Sequence, residues 1–390
     1  MSMSMLVVPI PRCRALVVAR CLSLSAKRFS PEPGFKYTEF IHRGNSTPPR
    51  IAGRKWLPGS TFVGNKLPEF LAPPRKNLPA VYDAIFADKD GPKYIEMWAA
   101  KTRAVLDEKL HVFGTILFKG LPLHSVDDFS TFSKCLGYQF GSYKGAGGER
   151  HEVAEYVQTA TDAEKSIFTL EPHNEMAYTT HYPLKIMFYC DVPPHEEDDG
   201  ETVICDVRDT LPKLDPKIVE KFERLGIKYS NYISNSSEKQ YRCISNVFGT
   251  TDKSIIGKFL ADHDYEYKWD DDGSLSYWIT LPVFTIHPKT GEKIWFNQAS
   301  SYHASYLREN PVYEGMDYLP DNKLSNTCCY GDGSEIEPEV VQHVRDVIWQ
   351  SSVGFQMKKG EILVFDNLYS QHGRIGYTGE RKLYVNLIAS

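Results

Sequence analysis

In the stretch LEPHNEMAYTTH, residues 170–181, an imidazole and a carboxylate stand one residue apart at His173 and Glu175. Side chains two apart on an extended strand share a face, so the two would point the same way with Asn174 turned aside. A histidine nitrogen and a carboxylate oxygen presented together are half a metal site. Taken alone the triplet is weak, because a histidine satisfied within a strand is the commoner arrangement. A second triplet, His195 to Glu197, lies in PPHEEDDG, where turn residues and mutually repelling acids read as a solvated loop. His181 shares the parity of the first pair but lies roughly 20 Å beyond it on an extended strand, so it reads as a rim or structural histidine.

A third ligand strengthens the first triplet. His372 follows GEILVFDN, an apolar run that ends in Asp366 and Asn367 where the chain leaves the sheet. Two histidines and one carboxylate on a rigid β scaffold form the facial set used by non-haem Fe(II) oxygenases, which leaves three adjacent coordination positions for other ligands. The last strand carries an anchor for one. In RKLYVNLI, period-two alternation puts Arg381 on the face of Leu383, Val385 and Leu387. A buried guanidinium requires an anion, and its planar fork matches a carboxylate. A structural Asp or Glu is one such partner; with the three metal-binding residues upstream, a dicarboxylic keto acid bridging iron and Arg381 is the better one.

These residues need a scaffold, and the chain from Phe168 onward reads as one rich in strands. PLKIMFYCDV and ETVICDV are β-type runs, followed by alternating strands with Asp-Gly and Thr-Gly turns. The ending is a strand, a loop bearing His372, and a last strand. Helices are expected over about 92–110, after a Ser125/Asp128 cap, over LDPKIVEKFERLG with Asp215 as N-cap and Gly226 as stop, and over PEVVQHVRDVIWQ. In the last, Val340, Val341, Val344, Val347 and Ile348 make the buried stripe, and His343 falls outside it and reads as solvated. A strand is expected over residues 111–123. Many short strands with a few covering helices indicate a mainly β fold with α elements, a jelly roll with flanking helices.

The 390 residues are 42% hydrophobic and 24% charged with a formal charge of −5, an ordinary globular composition. No broad basic surface for nucleic acid and no membrane-spanning run is present. Residues 1–30 carry five basic residues and no acid, the composition of a mitochondrial transit peptide, with a plastid peptide or a plain tail as alternatives. The remainder, 31–390, reads as one catalytic domain. Eight scattered cysteines without a C-x-x-C pair argue against a disulfide framework and suit a reducing matrix or cytosol, with Cys328 and Cys329 as packing residues.

From about Gly141 to Ser390 the chain resembles the clavaminate-synthase-like members of the taurine dioxygenase superfamily. The resemblance rests on HNEMAYTTHYPLKIMFYC, GETVICDVRD, KIWFNQASSYHAS, YGDGSEIEPEVV, and GEILVFDNLYSQHGR followed by GERKLYVNLI, in that order. It implies a double-stranded β-helix of the cupin-like kind over 141–390, with 31–140 as the N-terminal portion. It also implies Fe(II), 2-oxoglutarate and O2 as cofactor and co-substrates and a small amino-acid-like or carboxylate substrate. Oligomeric state is left open. By position His173, Glu175 and His372 correspond to the iron ligands, and Arg381 and Thr202 to the groups holding the far carboxylate of 2-oxoglutarate; Arg374, directly after HG, is a second candidate anion anchor, with the substrate or the site rim as its alternative. Asn297 and Tyr302 match a stretch near the family's pocket. The Glu ligand, where most relatives use Asp, fits the clavaminate-synthase-like branch, and its presence argues against a halogenase. The alternatives are a non-catalytic jelly-roll protein retaining the metal site and a zinc hydrolase, which would leave Arg381 and Thr202 unexplained.

Overall fold

The computed structural model describes residues 34–40, 48–59, 66–85, 92–141, 151–160, 165–236 and 242–389. The expected transit peptide lies outside the described residues. The largest sheet has eight strands in the order Gly34–Thr38, Ala80–Ile85, Thr115–Lys119, Ile362–Asp366, Lys185–Val192, Lys382–Ile388, Val157–Thr159 and Glu152–Ala154. All neighbours are antiparallel except the second and third. A second sheet runs Val353–Phe355, Thr202–Asp206, Ser370–Arg374, Leu170–His173. A third, of four strands between Ile227 and Tyr330, stands beside them.

The central strands are apolar throughout because both faces of the large sheet are covered, the pattern that continuous runs such as KIMFYC predict. Its inner face, through Leu117, Ile186, Phe188, Phe365, Leu383 and Val385, shares one core with Ile204, Cys205, Val353 and Phe355 of the second sheet. On its outer face Phe118, Met187, Tyr189 and Val364 pack against Trp98, Leu106, Phe129 and Phe132. Those four belong to helices Pro92–Phe113 and Val126–Leu136. The mainly β fold with flanking helices is as expected. The sheets stay distinct, however, and form no closed barrel among the described residues.

Local signals explain most boundaries. Ser125 and Asp128 form the reciprocal cap, with the Asp128 N–H donating to Ser125 Oγ at 3.1 Å. Helix Pro216–Leu225 starts at Asp215 and stops at Gly226. Two boundaries differ from expectation. The first helix continues to Phe113 and stops at Gly114, whose φ of +73° suits glycine, so the strand expected from His111 begins only at Thr115. His372 sits within strand Ser370–Arg374, not on a loop.

His343 is half-buried rather than solvated, since its Nε2 accepts the Asp215 N–H at 3.0 Å and so ties two helices together. Cys328 and Cys329 lie on strand Asn326–Tyr330 as free thiols, the first buried. His195 and Glu197 are exposed in a turn.

Candidate active site

Cross-strand pairing brings the two histidines together. His372 is directly opposite His173 on neighbouring antiparallel strands, with ring centroids 4.5 Å apart. Ligand atoms of His173, Glu175 and His372 all lie within 4.8 Å of one another, and His372 Nε2 is 3.2 Å from Glu175 Oε2. Glu175 and His372 are buried and His173 half-buried.

Glu175 reaches this point differently from the alternation that predicts it. The strand ends at His173, and Glu175 lies on a turn that Met176 closes with a φ of +57°. Asn367 holds that turn. Its Oδ1 accepts the Glu175 N–H at 2.7 Å, while its Nδ2 donates to the carbonyls of Glu175 at 2.9 Å and Pro183 at 2.8 Å. Asn174 donates to the Asn367 carbonyl at 2.6 Å and accepts from Gln371 Nε2 at 3.1 Å, and Gln298 donates to the Asn174 carbonyl at 2.5 Å. Buried amides thus fix the backbone on both sides of the carboxylate.

His173 Nδ1 lies 2.8 Å from the Glu171 carbonyl, which can only accept, so Nδ1 carries the proton and Nε2 keeps its lone pair for a metal. Glu171 is itself fully buried, paired with Arg345 Nε at 3.2 Å. Burial pushes its carboxyl pKa up against the pull of that guanidinium. Phe188 and Phe365 pack on the His372 ring at 5.2 and 5.5 Å. Two imidazoles and a carboxylate, converging and flanked by apolar rings, suit a divalent iron ion.

The arginines expected to anchor an anion, Arg381 and Arg374, both meet Thr202. Arg381 is half-buried just before the last strand, which starts at Lys382. It donates from Nε to the Gly200 carbonyl at 3.0 Å and from a terminal nitrogen to Thr202 Oγ1 at 3.1 Å. Those Arg381 bonds go to neutral acceptors, a carbonyl and a hydroxyl. Burial, and then the charge of Arg374, pull its pKa down to about 10. Arg374, paired across strands with Thr202, donates to the Phe168 carbonyl at 2.8 Å. Nearby Glu201 is pushed up to about 7, first by burial.

Asn297 and Tyr302 are both buried. Asn297 accepts the Ala299 N–H at 3.1 Å, and the Tyr302 hydroxyl donates to Asn231 at 2.6 Å. Beyond the turn bearing Glu175 lies a cavity of about 550 Å³, lined in part by Met176, Tyr178, His263 and Leu387. His181 is on its rim, 4.9 Å from the His263 ring. Sequence reasoning missed the amide clamp, the Glu171–Arg345 pair and the His263 wall, since none carries a local pattern; Asn367, directly after a predicted strand, gave the one hint.

Comparison with known proteins supplies the chemistry's class. The taurine catabolism dioxygenase TauD, TfdA family profile matches residues 77–386. The chain is 29% identical over 291 residues to a dapdiamide synthesis protein of Enterobacter agglomerans, covering 73% of this chain and 84% of that one. To a clavaminate synthase-like protein of Arabidopsis thaliana it is 25% identical over 292 residues, covering 72% and 83%. Among solved structures, an asparagine oxygenase in complex with Fe(II), 2S,3S-3-hydroxyasparagine and succinate aligns at 13% identity and a TM-score of 0.46, over 78% of this chain and 92% of that one. The chain belongs to the TauD, TfdA family and is an Fe(II)- and 2-oxoglutarate-dependent oxygenase that takes O2 as its oxidant.

Proposed function

We propose that this oxygenase hydroxylates a small amino-acid-like or other carboxylate substrate, converting 2-oxoglutarate and O2 to succinate and CO2 as one oxygen atom enters the substrate. The observation that carries the site assignment is the convergence of His173, Glu175 and His372 within 4.8 Å, on the sheet whose Thr202 hydroxyl accepts from Arg381 at 3.1 Å. In this reading the three residues hold Fe(II), which when bound supplies the redox chemistry of O2 and the keto acid.

The chain's own residues do the rest. Arg381 and Thr202 receive the far carboxylate of 2-oxoglutarate, with the Gly200 carbonyl fixing the guanidinium plane. Arg374 adds positive charge behind them. The Glu171 carbonyl keeps His173 in the metal-binding tautomer, and Asn367 keeps Glu175 turned inward. Phe188 and Phe365 exclude water from one side of the centre. The substrate class rests on analogy within the family, as do the placement of the two facing sheets in a double-stranded β-helix and the single catalytic domain over 31–390. The basic, acid-free stretch over residues 1–30 supports a mitochondrial matrix address.

Succinate formation from 2-oxoglutarate by the iron-loaded protein tests the reading. His173→Ala and Glu175→Ala should each abolish it while the protein stays folded. Turnover persisting in both variants would refute the site assignment.

A further inference from the structure

Asn367, whose side chain holds the Glu175 turn, opens a tight turn of its own over residues 367–369, between strands Ile362–Asp366 and Ser370–Arg374. The residue before it closes that turn. Asp366 Oδ1 accepts the Leu368 N–H at 3.1 Å and the Tyr369 N–H at 3.4 Å, so its carboxylate spans the turn while Asn367, enclosed by it, reaches Glu175. The other oxygen, Oδ2, lies 3.0 Å from His287 Nε2. Asp366, Asn367 and His287 are all buried.

His287 arrives from another part of the chain, just past strand Phe284–Ile286 in the hairpin that pairs it with Lys293–Trp295. Its Nδ1 accepts the N–H groups of Lys289 and Thr290, both at 3.2 Å, so the ring proton sits on Nε2 and faces Asp366. The imidazole lies nearly flat on the Tyr369 ring, with centroids 4.4 Å apart and planes 18° from parallel, and the Tyr369 hydroxyl lies 2.6 Å from Thr290 Oγ1. The hairpin therefore meets the turn at both ends, Asp366 at its entry and Tyr369 at its exit.

We infer that His287 and Asp366 are positioning residues for the iron centre: the imidazole fixes the Asp366 carboxylate, the carboxylate fixes the turn, and the turn presents Asn367 to Glu175. The inference rests on the proposed site, which it extends outward from Asn367. A buried carboxylate deprived of its donor is left with an unmet oxygen and rotates toward another partner. The strands themselves stay paired, because the Asp366 N–H donates to the Gly114 carbonyl at 2.8 Å and the Asn367 N–H to the Leu184 carbonyl at 3.0 Å. What the carboxylate adds is the direction of the Asn367 side chain.

Anaerobic competition between the full chain and a chromogenic chelator for Fe(II) tests it. His287→Leu removes the Nε2 donor, and in Asp366→Asn the new amide N–H faces the imidazole N–H whenever its oxygen caps the turn. Each should weaken Fe(II) binding by about fivefold or more, somewhat less than the roughly 10–100-fold typical of groups that bond a metal ligand directly. His287→Gln, which keeps an N–H donor, should stay within about twofold of the wild type. Added to Asn367→Ala, either substitution should cost less than about a further twofold, because the route to Glu175 is already cut. Circular dichroism identifies the folded variants, and the isosteric Asp366→Asn stands in if His287→Leu does not fold. Unchanged affinity in a folded His287→Leu or Asp366→Asn protein, a loss in His287→Gln as large as in His287→Leu, or full addition in the double variant would each overturn the inference. Fe(II) binding that survives Glu175→Ala refutes the site assignment and this inference with it. Its loss in Glu175→Ala together with any of those results refutes the positioning role alone.

Discussion

At the residue scale, the site depends on a side chain that touches neither metal nor co-substrate. Asn367 makes three hydrogen bonds that hold the Glu175 turn, and two of them are to Glu175 itself. Groups that orient a metal ligand are typically worth about 10–100-fold in metal affinity. Asn367→Ala should therefore weaken Fe(II) binding by about that factor, measured by competition with a chromogenic chelator; unchanged affinity would remove the clamp from the account.

Glu201 gives a second prediction at this scale. Its carboxyl is raised from 4.5 to about 7, so it is largely neutral below that pH and becomes an anion near Arg381 above it. A negative charge there repels the far carboxylate of 2-oxoglutarate, so affinity for the co-substrate should fall as pH rises through about 7. Glu201→Gln should flatten that profile. By the same shift the folded state binds the extra proton between pH 4.5 and about 7, so Glu201's contribution to stability declines as pH rises across that window.

The candidate ligands were legible because their residue types are few and their chemistry narrow: His173, Glu175 and His372 lie together, and Arg381 bonds Thr202. Asn367 was not, since an asparagine closing a strand looks the same whether it solvates a turn or clamps a ligand.

At the element scale, strand Leu170–His173 is held from behind by helix Pro338–Ser351. Arg345 pairs with Glu171 and also donates to Ser305 Oγ at 2.8 Å and the Ser300 carbonyl at 2.8 Å, all buried. Removing one member of a buried ion pair leaves an uncompensated charge and costs about 3–5 kcal/mol. Arg345→Ala should lower stability by that amount in urea unfolding, whereas replacing both members by apolar residues of similar size should recover most of it. A small loss in the single variant would place the helix's hold elsewhere.

The helix was predicted from its valine stripe, which is buried apart from half-buried Val340, yet Arg345 at that stripe's edge is buried too, and periodicity cannot reveal a charge satisfied across 174 residues of chain. The turn at Glu175 was hidden for a related reason. H-x-E suits a strand by alternation, and only Asn367, supplied from the far end of the chain, makes a turn deliver the same convergence.

On the scale of the whole molecule, the site sits where the second sheet meets the inner face of the large one. His173 and His372 come from the smaller sheet, Phe188 and Phe365 from the larger, and Arg381 stands at the entry to strand Lys382–Ile388, whose Leu387 lines the cavity. Mainly β character and helical cover followed from the apolar runs; the open arrangement of distinct sheets did not, because strand order depends on contacts between segments far apart in sequence.

The central claim is that one chain presents iron through His173, Glu175 and His372 and 2-oxoglutarate through Arg381 and Thr202. Anaerobic titration of the Fe(II)-loaded protein with 2-oxoglutarate tests both halves at once. The account predicts a weak visible absorption band that saturates with the co-substrate, is absent in His173→Ala, and in Arg381→Leu needs about 30-fold or more 2-oxoglutarate, the equivalent of about 2 kcal/mol for a lost charge-assisted pair. No band in a folded, metal-loaded sample, or an unchanged titration in Arg381→Leu, would contradict it.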